Sequence, residues 1–152
     1  MKNQVYELHK SSIGDMNANI MAMLTYVASV VVSWIPVIRY FAWLVPLVLF
    51  FMEKQSKFVK FHAMQSFVLN LACAALTFLI SVIIGGIVSA SVVNIYAAYS
   101  ALGLLGFIGF LTMAVCLVIT VFAIIAMVKA YGFKEYHIPL AGGIAEKTGG
   151  EF

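Results

Sequence analysis

One charged stretch, residues 53–66 (EKQSKFVKFHAMQS), interrupts a chain that is otherwise apolar enough to live in lipid. It is the only dense cluster of charge inside the chain, and the sequence on either side reads as hydrocarbon-spanning helix. Of 152 residues, 64% are hydrophobic and 10% charged, with a mean hydropathy of +1.06. A soluble domain carries about 25% charge. The class is therefore an all-α polytopic membrane protein. A single membrane domain is expected over 17–131, between a polar N-terminal tail at 1–16 and a polar C-terminal tail at 132–152. No signal peptide is expected, because residues 1–17 are polar and no small-residue cleavage site follows the first apolar run.

The first apolar segment covers 17–35, which suits a span of about 17–25 residues. Asn17 and Asn19 precede it as candidate caps. Pro36, Arg39 and Tyr40 interrupt it. Proline removes a backbone donor and keeps the residue before it out of the helical region, so 36–40 reads as a turn. The second segment, 41–52, is short. It is either a tilted helix with Tyr40 and Trp43 at the interface, or a helix that does not fully cross. Pro46 falls within its first two turns. The third helix begins in the charged stretch and runs to about residue 93. The uncharged run 95–128 is too long for one perpendicular span at roughly 1.5 Å per residue. Its first part, IYAAYSALG, is therefore expected as loop or interfacial chain anchored by Tyr96 and Tyr99. The expected architecture is a four-helix transmembrane bundle with a short second helix.

Charge sets the orientation. With four spans, Lys2, Lys10, Lys54, Lys57, Lys60, Lys129, Lys134 and Lys147 share one side, and Arg39 alone falls opposite. Three spans would split the lysines. The positive-inside rule then gives a multi-pass protein of the plasma membrane with both termini cytoplasmic.

Two stripes mark the third helix. Phe58, Phe61, His62, Gln65 and Leu69 recur at helical spacing, and Val59, Ala63, Ser66, Asn70, Cys73, Thr77, Ser81 and Gly85 form the opposite line. The second line is small or weakly polar, which lets helices approach closely in lipid, so Ala63, Ser66, Asn70, Cys73, Thr77, Ser81 and Gly85 form the expected packing seam. Gly103, Gly106 and Gly109 suggest similar close packing on the fourth helix. Lys57, Phe58, Lys60, Phe61, His62 and Gln65 form the candidate partner-facing surface. The lysines there also suit anionic headgroups, and Glu53 is spaced to pair with Lys57. His62 titrates near neutral pH if solvated, or hydrogen-bonds a helix end or a tail carbonyl.

Catalysis is not expected. The chain has no CxxC, HExxH, Walker or GxGxxG pattern, so no cofactor or metal is assigned. Cys73 and Cys116 lie in apolar runs as small hydrophobes. His9, His62 and His137 could meet on the cytoplasmic side, but they bring no nucleophile with a base and an orienting acid. No acid lies mid-span, which argues against secondary transport. The expected partners are the lipid bilayer and other membrane proteins or a second copy. Nucleic acid is not among them, because topology accounts for the lysines. A small channel or transporter-like homo-oligomer with a polar path near Asn70 is the alternative.

Phe58-Val59-Lys60-Phe61-His62-Ala63-Met64-Gln65-Ser66 resembles the FVRFHAMQS-type signature of the Tic-twenty-like proteins, the small four-helix component of the chloroplast inner-envelope translocon and its bacterial and archaeal relatives. Asn19-Ile20 through Leu24 and Tyr26 resembles that family's opening pattern. Ala130-Tyr131-Gly132 and Ile138-Pro139-Leu140-Ala141-Gly142, followed by Ile144-Ala145-Glu146, resemble its close. The likeness covers about residues 17–147. It implies a four-helix membrane fold with both termini on one side, and a part in protein translocation or membrane assembly. Lys60 stands where that pattern more often has arginine.

Overall fold

The computed structural model describes residues 5–35, 38–92 and 95–149. The described chain is helical, with no named strand. In order come α1 (Ala18–Ser33), a 3₁₀ turn (Ile38–Phe41), α2 (Leu44–Met52), α3 (Lys57–Ser91), α4 (Ile95–Tyr131) and α5 (Ala141–Gly149). Two isolated antiparallel bridges, Val5 to Lys134 and Lys10 to Asn17, tie down the N-terminal segment. That segment reverses at Gly14 and Asp15, both left-handed at φ 66° and 54°, a conformation that glycine and aspartate tolerate.

Two helices, α3 and α4, are long and apolar enough to cross a membrane. The sixteen-residue α1 is apolar but shorter, and the nine residues of α2 rise only about 13 Å, well short of a hydrocarbon core. Of the expected four-helix bundle with a short second helix, the structure shows the all-helical chain and two helices of spanning length, alongside a shorter apolar pair. Pro46 is third in α2, where the helix has no partner for its missing N–H anyway. Of the expected turn at 36–40, Pro36 and Val37 lie outside the described residues.

The expected loop at 95–103 is helix. Residues Ile95 to Tyr131 form one element of 37 residues, about 55 Å long. Alanine and leucine favour helix, no proline intervenes, and the glycines cost only about 1 kcal/mol each against alanine. The last turns of this helix also pack within the protein. Ala126 and Ala130 are buried among tail residues.

The chain divides into two compact units. One comprises Met1–Leu71 with Val121–Phe152, and the other comprises Ala72–Thr120. Both polar tails thus belong to the same unit as the start of α3. In the first unit, Ala18, Met21 and Ala22 of α1, Phe58 and Val59 of α3, and Ala130 and Phe133 at the end of α4 form one cluster. Phe50, Phe61, Ala63, Met64 and Ala145 form a second. In the second unit, Ala101 is the one buried residue among those described. That unit contains no Asp, Glu, Lys, Arg or His.

Candidate functional site

The first turns of α3 organise the polar interior of the first unit. Ser56 caps the helix, its Oγ accepting the Val59 N–H at 3.2 Å. His9 fixes that hydroxyl. Its Nδ1 lies 2.7 Å from the Glu7 carbonyl and its Nε2 2.7 Å from Ser56 Oγ. A carbonyl only accepts, so Nδ1 donates to it and Nε2 faces the Ser56 hydroxyl. The pair has the form of a nucleophile and base, yet Ser56 is only 2% exposed. Its hydroxyl serves the helix end.

Glu53 is the hub beside it, only 1% exposed. Its carboxylate accepts from the Ser11 hydroxyl, from the Ser12 hydroxyl at 2.7 Å and backbone N–H at 3.1 Å, and from the backbone N–H groups of Gln55 and Ser56 at 3.0 Å each. Burial pushes its pKa up, but the Ser11, Ser12, Ser56 and Gln55 donors outweigh burial and hold the carboxyl at about 2, below the ordinary 4.5. The charge also faces the positive end of α3. The expected surface pair with Lys57 is corrected. Five donors from a tail 41 residues away and from the helix end satisfy this carboxylate better than one exposed lysine would.

Deeper in, Gln65 joins three segments. Its Nε2 donates to the Tyr26 hydroxyl and to the Tyr136 carbonyl, both at 3.0 Å, and its Oε1 accepts the Ile138 N–H at 3.2 Å. Tyr26 faces His62 Nδ1 at 3.1 Å. This contact engages Nδ1 and leaves Nε2 as the other ring nitrogen of His62. That nitrogen is buried without a hydrogen-bond partner; the Lys134 backbone approaches the ring but completes no bond. Ser66 Oγ donates to the Thr25 carbonyl at 2.8 Å, pinning α3 to α1.

A third polar group lies in the C-terminal segment. Glu135 accepts from the Tyr6 hydroxyl at 2.7 Å and lies 3.6 Å from His137 Nε2. Glu146 is 3.9 Å from His137 Nδ1. Burial, then the bond to Glu135 and its negative charge, push the Tyr6 hydroxyl well above the usual tyrosine range. The three histidines do gather around α3, but rings separate them. His9 and His62 flank Phe58 at 6.2 and 4.7 Å, and His62 and His137 flank Phe61 at 5.3 and 4.8 Å. Among the described residues, no three His, Cys, Asp or Glu side chains are placed to hold a metal ion.

The expected partner surface is largely inside. Phe58, Phe61, His62 and Gln65 are at most 4% exposed, Lys57 is exposed, and Lys60 is half-buried over the Phe50 ring at 5.9 Å. The physical reason is the folding of both tails onto α3, which covers its aromatic stripe. The packing seam divides. Ala63 and Ser66 are buried, Asn70 and Cys73 are half-buried, and Thr77, Ser81 and Gly85 are exposed. Asn70 bonds back to the Ser66 carbonyl, and Thr77 and Ser81 bond to carbonyls four residues earlier, so their polar groups are satisfied within α3. Asn17 sits at the N-cap of α1 without a side-chain bond, while Asn19 donates to the Tyr131 carbonyl at 3.0 Å. The sequence reading missed Glu53, Ser11, Ser12, Tyr26 and Glu135 as network members. Of this network only the Ser56 cap had a local signal, a serine just before the helix.

The model of the magnetosome magnetite crystal formation protein family, MamF/MmsF, matches residues 17–145. A UPF0132 membrane protein of Methanocaldococcus jannaschii is 30% identical over 111 residues, 72% of this chain. The aligned stretch spans 64% of that relative. No solved structure matches. The resemblance to Tic-twenty-like proteins is thereby corrected, since neither finding points to that family. The motif that suggested it, Phe58 to Ser66, lies in the first turns of α3 and is buried except at Lys60. The translocation role rested on that resemblance and is not carried forward. The chain is an integral membrane protein and belongs to the MamF/MmsF family of magnetosome magnetite crystal formation proteins.

Proposed function

We propose that this protein is a non-catalytic membrane component whose work is structural: it holds a rigid, hydrogen-bonded polar unit at one surface of the plasma membrane. The observation that carries this reading is charge segregation. Every described lysine lies in the unit built from both tails, and Ala72–Thr120 has no charged residue. The positive-inside rule then favours placing that unit, and both ends of the chain, in the cytoplasm. The orientation does not depend on α1 and α2 crossing. A pair that crosses and one that turns back both leave an even number of spans.

The family description speaks of magnetite crystal formation. For this chain we take the membrane part of that description. The described residues offer no converging set of metal ligands, and the exposed charge is mainly basic, which suits anionic lipid better than metal cations. The buried Ser56 and the self-satisfied Asn70, Thr77 and Ser81 support neither a hydrolase nor a polar path.

The test is single-cysteine labelling in a Cys73→Ser, Cys116→Ser background. A membrane-impermeant maleimide should label Tyr99→Cys in intact cells and Lys147→Cys only after permeabilisation. Labelling of both from outside, or release of the protein by alkaline carbonate, would overturn the reading.

A further inference from the structure

The first unit treats its two signs of charge differently. Glu53 and Glu135 are turned inward, 1% and 9% exposed, and are satisfied by serine, tyrosine and backbone donors. Asp15 is taken by Lys10 at 2.6 Å, and Glu146 stands beside His137. Of the described acids only Glu7 is left exposed without such a neighbour. Six lysines, Lys54, Lys57, Lys60, Lys129, Lys134 and Lys147, form no ion pair among the described residues, and all but the half-buried Lys60 are exposed.

These lysines share one end of the fold. Phe58 and Val59 of α3 pack against Ala130 and Phe133 at the end of α4, so Lys57, Lys60, Lys129 and Lys134 flank the same cluster in sequence. The Lys134 N–H bonds to the Lys129 carbonyl at 3.0 Å, closing that turn. Lys147 lies two residues past Ala145, which packs with Phe61 and Met64. Lys54 is held by its backbone bond to Ser12. Lys57 and Lys129 are helical residues beside the buried Phe58 and Ala130, and both are exposed, as helical positions about 100° apart allow.

We infer that these six lysines form a docking surface for the anionic headgroups of phospholipids in the protein's own membrane. The complementarity is direct. Glu53 and Glu135 are buried and Asp15 is paired with Lys10, so the six basic groups have no ion-pair partner among the described residues, and they lie near the ends of the apolar helices. Lysine stems reach along apolar surface and deliver a point charge to a phosphate. The inference rests on the membrane placement proposed above and deepens it by naming the lipid class.

The experiment is reconstitution of the full chain into nanodiscs of phosphatidylcholine alone, or mixed with phosphatidylglycerol, followed by native mass spectrometry of retained lipid. Wild type should retain phosphatidylglycerol preferentially, with the preference falling as salt rises. Each lysine changed to glutamine should lower the preference about fivefold, the equivalent of about 1 kcal/mol per basic residue near an anionic surface. Lys10→Gln, whose partner is Asp15, should leave it nearly unchanged. A wild-type preference that is absent, or indifferent to salt, overturns the inference even if the sixfold variant fails to fold. Unchanged preference in a folded sixfold variant overturns it too. Failure to enter discs of either composition contradicts the membrane reading, and this inference with it.

Discussion

Residues 58–66 and residues 72–91 belong to the same helix, yet they solve opposite problems. In the first stretch every residue but Lys60 is buried, and His62, Gln65 and Ser66 reach other segments through hydrogen bonds. In the second no described residue is buried, and the hydroxyls of Thr77, Ser81, Ser89 and Ser91 bond only to their own helix. The difference shows what holds each part together. The first depends on long-range polar partners that must all be present. The second needs only apolar surroundings and its own backbone ladder, as a helix in lipid does.

The largest expected break is at Gln65. Gln65→Leu keeps the volume but strands the Tyr136 carbonyl and the Ile138 N–H and removes one of the Tyr26 hydroxyl's two partners. At about 1–3 kcal/mol for each unsatisfied buried group, with partial relaxation, stability should fall by roughly 3–4 kcal/mol, read as unfolding in mixed detergent. Thr77→Val should change it by less than about 0.5 kcal/mol, because that hydroxyl joins nothing beyond its own helix.

Glu53 gives a pH version of the same contrast. Its folded carboxyl titrates at about 2 against an ordinary 4.5. Its contribution is therefore fully present above about pH 4.5 and is lost as pH falls towards 2. The size is about 3 kcal/mol from the usual free energy per pKa unit. Acid titration of unfolding should show this loss in wild type and not in Glu53→Gln. A flat profile in wild type would mean the carboxylate is not bound as described.

Glycines sharpen the comparison further. A Cβ at Gly142 would meet His137 Cα at 2.7 Å, so Gly142→Ala must move backbone and should cost about 1–3 kcal/mol. A Cβ at Gly106 meets nothing within 4 Å, so Gly106→Ala should be neutral or stabilise by up to about 1 kcal/mol through helix propensity. A clear loss at Gly106 would instead reveal a second helix packed there. A comparably small effect is expected at Lys10→Gln. It breaks an ion pair whose side chains are 60% and 79% exposed, and should fall within the range of about 0–1 kcal/mol seen for surface pairs.

Much of this was legible. Apolar length and proline placed α1 at 18–33 within one or two residues, and the charged stretch marked the start of α3. The membrane class followed from composition alone. The polar interior was not legible, because its partners lie far apart in sequence. Ser12 to Glu53 spans 41 residues and Tyr6 to Glu135 spans 129. Periodicity describes a helix face but not what covers it, so the aromatic stripe of Phe58 and Phe61 read equally well as exposed. The tails read only as polar because they carry Glu7, Lys10 and Lys147, which are exposed, while Ser11, Glu135 and Ala145 in the same tails are buried. The start of α4 was misread because span length argued for a loop where local propensity carried the helix on.

The most direct test of the division between the two regions is spin-label accessibility in reconstituted membranes. Labels at Phe78 and Phe107, 69% and 60% exposed, should collide freely with dissolved oxygen and hardly at all with a water-soluble nickel chelate. Labels at Asp15 and Lys147 should show the reverse. Nickel access at Phe78 and Phe107 would contradict the account, because those helices would then face water rather than lipid.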